Sequence, residues 1–357
     1  MGGGRADIQS VLREAGHAVF TAELGPLSSN WDRACELYAY IKGGLVDYGS
    51  VHSDVHGHAR YGREFPGVYP QLDGKHRIHI IAHSMGGQTA RLFAHLLRYG
   101  DAAERNSAAD VSPFFERRDQ AVKSIATIAT PHNGTTLVND LDLIEGILKT
   151  GAAALAAVTE TGLLARFDLD IDQWGVTRGT DESLAQYFTR VRSHPVWSGD
   201  RSDISLWDVS VQGATELNAR VEADPEVYYF SWANEKTADG PFGRNKLPEI
   251  SMLSFFMPGA IYMGSLLAVD YLPDTEMWLQ NDGVVNCVSM KGPFLQSNDE
   301  IFDYTGIPRL GVWNFMGLLN SMDHAEVLGI PNGDGPEGFE GIEEFYLDIC
   351  DMLKDLP

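Results

Sequence analysis

Residues 77–100 read RIHIIAHSMGGQTARLFAHLLRYG, and this stretch decides the fold. RIHIIA (77–82) has the isoleucine-rich, β-branched character of a strand buried on both faces. A sharp turn follows, His83-Ser84-Met85-Gly86-Gly87. Then QTARLFAHLLRYG places Leu92, Leu96 and Tyr99 on one helical face, with Gly100 as the stop. A serine on a strand-to-helix turn is the setting of a nucleophile elbow, whose strained backbone pushes the hydroxyl out of the sheet and demands very small neighbours. The usual pattern is G-x-S-x-G; here Ala82 stands in the first glycine's place, at some cost in strain. The helix aims its first N–H groups at the site, which suits an oxyanion. The plainer reading of the same residues is a serine capping an ordinary helix.

Working outward, SIATIAT (124–130) reads as a second buried strand running into the loop PHNGTT, and VYYFSWA (227–233) as a third. Residues 343–356 form an amphipathic terminal helix. Strands alternating with helices imply an α/β fold with a mostly parallel central sheet and helices on both faces. Residues 141–167 are rich in alanine and leucine nearly all round a helix. Residues 252–269 are uncharged but contain Pro258 and only just reach membrane-span length, so they read as a buried or lid-like helix pair. Residues 32–67 look loop-like, crowded with glycine, histidine and aromatics; such stretches are usually functional or tied down.

With a nucleophile at Ser84, the chain order of this fold class calls for an acid and then a base. Asn281-Asp282-Gly283 is a turn tripeptide followed by the apolar VVNCV, and His324 is the only histidine after His194. Ser84, Asp282 and His324 then have direct roles as nucleophile, orienting carboxylate and general base. A turn aspartate and a surface histidine are the bland alternatives; the three in this order are harder to dismiss.

The bulk numbers mostly exclude. A formal net charge of −23 over 357 residues repels phosphate backbones, so nucleic acid is not an expected partner. Cys35, Cys287 and Cys350 are too few for a disulfide framework and leave the redox compartment open. The opening MGGGRADIQSVLREAG lacks a basic region followed by an apolar one, so neither a signal peptide nor a transmembrane segment is expected.

Taken together, AHSMGGQTARL, TIATPHNGTTLVN, LDIDQWG, WLQNDGVVNCVSM, GVWNFMG, the DHAE segment and GPLSSNWDRACELYA resemble the bacterial lipases of family I.5, the Geobacillus type, with the staphylococcal lipases as cousins. The resemblance spans nearly the whole chain. It implies an α/β-hydrolase fold in a single domain, a secreted triacylglycerol lipase working on lipid or ester at an interface, and a helical lid at 141–168 and 252–270. It also implies a structural zinc in an insertion formed by 30–67 with 170–210. The matching ligands are Asp32, His52, His58 and an aspartate that alignment on LWD makes Asp203, with Asp200 the alternative; His56 is a bystander. A calcium site is usual in the family: Glu326 matches one ligand and Ser251 a backbone carbonyl, but the family's aspartate falls at Pro331, with Asn332 and Asp334 displaced downstream. Of the two oxyanion donors, Met85 N–H is matched. The strand ending in His-Gly-Phe that carries the other has no counterpart in this sequence, which makes an inactive homologue one competing expectation; a carboxylesterase or polyester depolymerase of the same chemistry is the other.

Overall fold

The computed structural model describes residues 7–107, 110–140, 169–195, 202–241, 243–267, 269–330 and 333–357. Two antiparallel ribbons, β1 (Gly44–Asp47) with β2 (Tyr61–Phe65) and, later in the chain, Thr237–Asp239 with Lys246–Pro248, flank a central sheet. That sheet is built from β3 (Ile78–His83), β4 (Val122–Ile128), β5 (Tyr228–Glu235), the short Ile301–Asp303 and the longer Trp313–Asn320. Its spatial order runs β3, β4, β5, Trp313–Asn320, Ile301–Asp303, and every neighbouring pair is parallel. One row of the register reads Ile81, Ala126, Phe230, Asn314.

Because successive strand residues face opposite sides, the sheet feeds two cores. Ile125 and Tyr229 pack with Leu92 and Leu96 of helix α4 (Met85–Tyr99), which follows α1 (Ile8–Glu14), α2 (Asn30–Lys42) and α3 (Ser50–His56) in the chain, and with Ala34 and Ala39 of α2. Ala126 and Phe230 pack on the other face, against Ile8 and Leu12 of the first helix (Ile8–Glu14) and Phe345 and Ile349 of the terminal helix (Ile342–Lys354). Each leucine, isoleucine or phenylalanine among them, fully buried, contributes about 2 kcal/mol. This is the α/β-hydrolase arrangement, and it carries α4 directly off the end of β3.

Two expectations change. Residues 32–67 are not loop-like. Ser29 caps the Asn30–Lys42 helix by accepting the Asp32 N–H at 3.2 Å, and β1, a Ser50–His56 helix and β2 follow. Polar and aromatic residues hid a helix that buries Ala34, Cys35 and Ala39. The described residues of 252–269 hold one eight-residue helix, Met257–Gly264, with proline in its first turn, rather than a pair. It buries Ala260 and Met263 and leaves Ile261 and, just beyond, Leu267 exposed. The other lid candidate, 141–168, lies outside the described residues. Among the described residues no helix is long and apolar enough to cross a membrane.

Candidate active site

Ser84 sits between β3 and α4 with φ 54° and ψ −137°, a left-handed-side backbone that a non-glycine residue adopts only when held. Two neighbours hold it: Ser84 N donates to Ile128 O at 3.0 Å, and the Thr130 hydroxyl donates to Ser84 O at 2.8 Å. A Cβ added to Gly87 would lie 2.3 Å from Thr130 Oγ1, so the second glycine of the turn is a close-approach residue. Ala82 fits without a clash, because a Cβ even at Gly86 would meet its methyl at an ordinary 3.7 Å.

The structure brings the three residues singled out above into one row. His324 Nε2 lies 2.9 Å from Ser84 Oγ, and His324 Nδ1 lies 2.7 Å from Asp282 Oδ2. Asp282 is wholly buried and His324 nearly so, while Ser84 stays half-buried at the open end. The Asp282 turn is built for this. Gly283 takes φ +95°, and the free carboxylate oxygen Oδ1 accepts the N–H groups of Val284 and Val285 at 2.9 and 2.8 Å. A carboxylate only accepts, so Nδ1 carries the imidazole proton and Nε2 turns a lone pair to the serine hydroxyl. As the first residue of α4, Met85 has a backbone N–H with no intrahelical acceptor, beside Ser84.

Sequence reasoning missed His83. Its Nε2 lies 2.9 Å from the carbonyl oxygen of His324; a carbonyl can only accept, so this nitrogen bears the proton. Burial, reinforced by nearby His324, holds the His83 pKa well below the usual histidine range, so the ring stays neutral. Its place before the serine was visible; the partner, 241 residues away, was not.

An apolar cluster adjoins the row. Leu137, Met252, Phe256, Ala260 and Met263 pack with Val284 and Ala325, next to the acid and the base. The Phe256 ring stands edge-on to His324, with centroids 6.3 Å apart.

A second group forms in the 30–67 region. Asp32, His52, His58 and Asp203 bring one potential ligand atom each within 4.8 Å of the others. His52 Nε2 lies 3.2 Å from Asp32 Oδ1 and 3.1 Å from Asp203 Oδ1, and His58 Nε2 lies 3.3 Å from Asp203 Oδ2. A tetrahedral shell with metal–ligand bonds near 2.0–2.1 Å has edges of about 3.3 Å. These buried atoms make no satisfactory hydrogen bond to one another, which is what donors aimed at a shared cation look like. Burial, then the charge of Asp203, pushes the Asp32 pKa up, a repulsion that a cation relieves. Supports lie behind them. His58 Nδ1 is 2.9 Å from Ala59 O, Gln173 donates to Asp32 Oδ2 at 2.9 Å, and Trp31 stacks on His52. The cluster thus fits a metal ion and takes Asp203; Asp200 lies outside the described residues. His56 packs its ring at a tilt against His52 but is not a member.

At the place expected to hold calcium, the expected carboxylate is paired with a lysine. Lys236 Nζ lies 2.5 and 2.6 Å from the two oxygens of Glu326, so an ammonium already neutralises that carboxylate. Ser251 is exposed, and Pro331 and Asn332 lie outside the described residues. A hard divalent cation needs several oxygens at one point, and this place offers a lysine instead.

The chain is similar in sequence and fold to known proteins. A family model described as "Lipase-like, C-terminal domain" matches residues 1–356. The lipase of Staphylococcus hyicus is 34% identical over 99% of this chain and 54% of its own length, and Lipase 1 of Staphylococcus aureus is 31% identical. The chain thus spans about half the length of these relatives. The solved structure titled EstA from Clostridium botulinum is 40% identical with a TM-score of 0.89, covering 98% of this chain and 81% of that one. Lipase 1 from Pelosinus fermentans is 38% identical with a TM-score of 0.87, covering 99% and 92%. By sequence over its full length and by fold, this chain belongs to the lipase-like C-terminal domain family.

Proposed function

We propose that this chain hydrolyses carboxylic esters of lipids, triacylglycerols foremost, through an acyl-enzyme on Ser84. The observation that carries the reading is the unbroken row from Ser84 Oγ through His324 to buried Asp282, at 2.9 and 2.7 Å. His324 Nε2 takes the hydroxyl proton as Ser84 Oγ attacks the ester carbonyl, and Asp282 holds the imidazolium that results. Met85 N–H donates to the oxyanion. Collapse expels the alcohol, which takes the proton from His324; water, activated by the same imidazole, then releases the fatty acid.

The apolar cluster around Phe256 supports an acyl chain as the occupant beside the triad, and exposed Ile250, Ile261 and Leu267 support contact with a lipid surface. At the second group, two imidazoles and two carboxylates suit zinc. With four protein ligands, zinc when bound supplies structure rather than an open coordination position, tying the Asn30–Lys42 and Ser50–His56 helices to the segment around Asp203.

The test is hydrolysis of a chain-length series of esters alongside serine-directed fluorophosphonate labelling. We expect long-chain emulsions to be turned over, Ser84 to be the labelled residue, and S84A to fold with under about 1% of wild-type activity. A folded wild type that neither labels nor hydrolyses any member of the series ends the proposal; turnover of short chains alone makes it a carboxylesterase.

A further inference from the structure

The base is carried on a loop, and a lysine that the mechanism does not use is buried against that loop. Lys236, one residue past the end of β5, is 3% exposed, and its ammonium contacts both Glu326 oxygens. Glu326 accepts the backbone N–H of Asp323 at 2.7 Å, and Asp323 Oδ1 accepts those of Ala325 at 3.0 Å and Glu326 at 3.2 Å. His324 lies inside that closed set of bonds. The rest of Asp323 is tied outward: Oδ2 accepts Leu253 N at 2.9 Å, and Asn234 on β5 donates to its carbonyl at 3.1 Å.

Burying a lysine costs desolvation and rotamer freedom, which only a well-formed pair offsets. Here it faces two carboxylates that repel. Burial, then the charge of Glu326, raises the Asp323 pKa to about 6. The loop therefore needs a cation, and the chain supplies one from its own sheet.

We propose that Lys236 is a positioning residue for His324: through Glu326 it fixes the 323–326 loop to the end of β5, in place of a divalent cation, so that the imidazole meets Ser84 without calcium. This rests on the reading of Ser84 and His324 as the reacting pair. A misplacement of about 1 Å at a base costs on the order of 100-fold in rate, so a loosened loop is read in kcat rather than in binding.

Wild type, Lys236→Met, Lys236→Arg and Glu326→Gln are compared on a soluble short-chain ester, with Ser84 labelling, thermal unfolding, and calorimetric titration with calcium chloride in zinc-containing buffer. K236M is expected to lower kcat by roughly 10- to 100-fold with KM within about twofold, and K236R to recover most of the loss. Wild type is expected to give no calcium-binding heat and no change in Tm with calcium. Should K236M fail to fold, E326Q, which keeps the side-chain volume, carries the kcat test. Wild-type kcat in the folded variant, a loss seen only in KM, an equal loss in K236R, or calcium binding that raises the wild-type Tm overturns the proposal. Absence of Ser84 labelling in wild type overturns the underlying reading instead.

Discussion

Asp282→Asn is the sharpest probe of the row, because the structure fixes which way the new amide points. Asp282 Oδ1 accepts two buried backbone N–H groups, from Val284 and Val285, while Oδ2 faces His324 Nδ1. Turning the amide so that its NH2 met those two donors would forfeit both bonds, about 3 kcal/mol or more in a buried site. The asparagine therefore keeps its oxygen on the backbone and presents NH2 to His324. Nδ1 must then accept, the proton moves to Nε2, and the imidazole offers Ser84 a donor where the reaction needs an acceptor. The same exchange in a serine protease triad lowers kcat about 10⁴-fold with geometry intact, equivalent to about 5.5 kcal/mol. Burst kinetics on a chromogenic ester, with the unfolding midpoint as a control on folding, measures this. A folded D282N variant within tenfold of wild-type kcat would mean that Asp282 does not set the imidazole's tautomer, and the assignment of the acid would fall.

Three further outcomes follow from the same coordinates. Gly87→Ala places a methyl 2.3 Å from Thr130 Oγ1 and 2.9 Å from Thr127 Cγ2, so urea unfolding should show a loss of about 1–3 kcal/mol; unchanged stability would show that the elbow is looser than described. Stripping metal with a strong chelator should lower the unfolding midpoint, and zinc should restore it; elemental analysis of untreated protein without metal would contradict the cluster's assignment. Asp323 is fully buried, and its pKa rises from 3.8 to about 6, so the folded protein holds that proton more tightly than the unfolded chain. Its contribution is complete below about pH 4 and is lost as pH rises through 6, a change of about 3 kcal/mol. Asp323→Asn should remove that part of the pH slope of stability; an identical slope in both proteins would refute the burial argument.

The sequence made the sheet, the elbow and the triad candidates visible for a common reason: each leaves a local mark. Isoleucine runs mark β3, glycines mark the turn after Ser84, and Asn-Asp-Gly marks the turn at Asp282. Strand Trp313–Asn320 left no such mark, since asparagine and glycine interrupt it and its place between β5 and Ile301–Asp303 comes from pairing far along the chain. The Asn30–Lys42 helix was hidden because its buried face includes polar Asn30, Asp32 and Glu36, which are inside for their partners rather than for hydrophobicity. The metal ligands were legible only as positions in a resemblance; that they leave orphaned donors around one point needed coordinates. Likewise Lys236 reads as an ordinary surface lysine until Glu326 is placed beside it.

The cluster at Asp32 has a consequence for how the chain endures unfolding. Its cysteines are free, so no covalent bridge joins distant parts. A metal held jointly by Asp32 and Asp203 joins positions roughly 170 residues apart, and a link across a loop that long removes about 5 kcal/mol of disorder from an opened chain, if the ion stays on. Unlike a disulfide, such a staple is indifferent to reductant and answers to acid and chelator. Resilience in this protein would then follow the supply of metal around it, not the redox state of its surroundings.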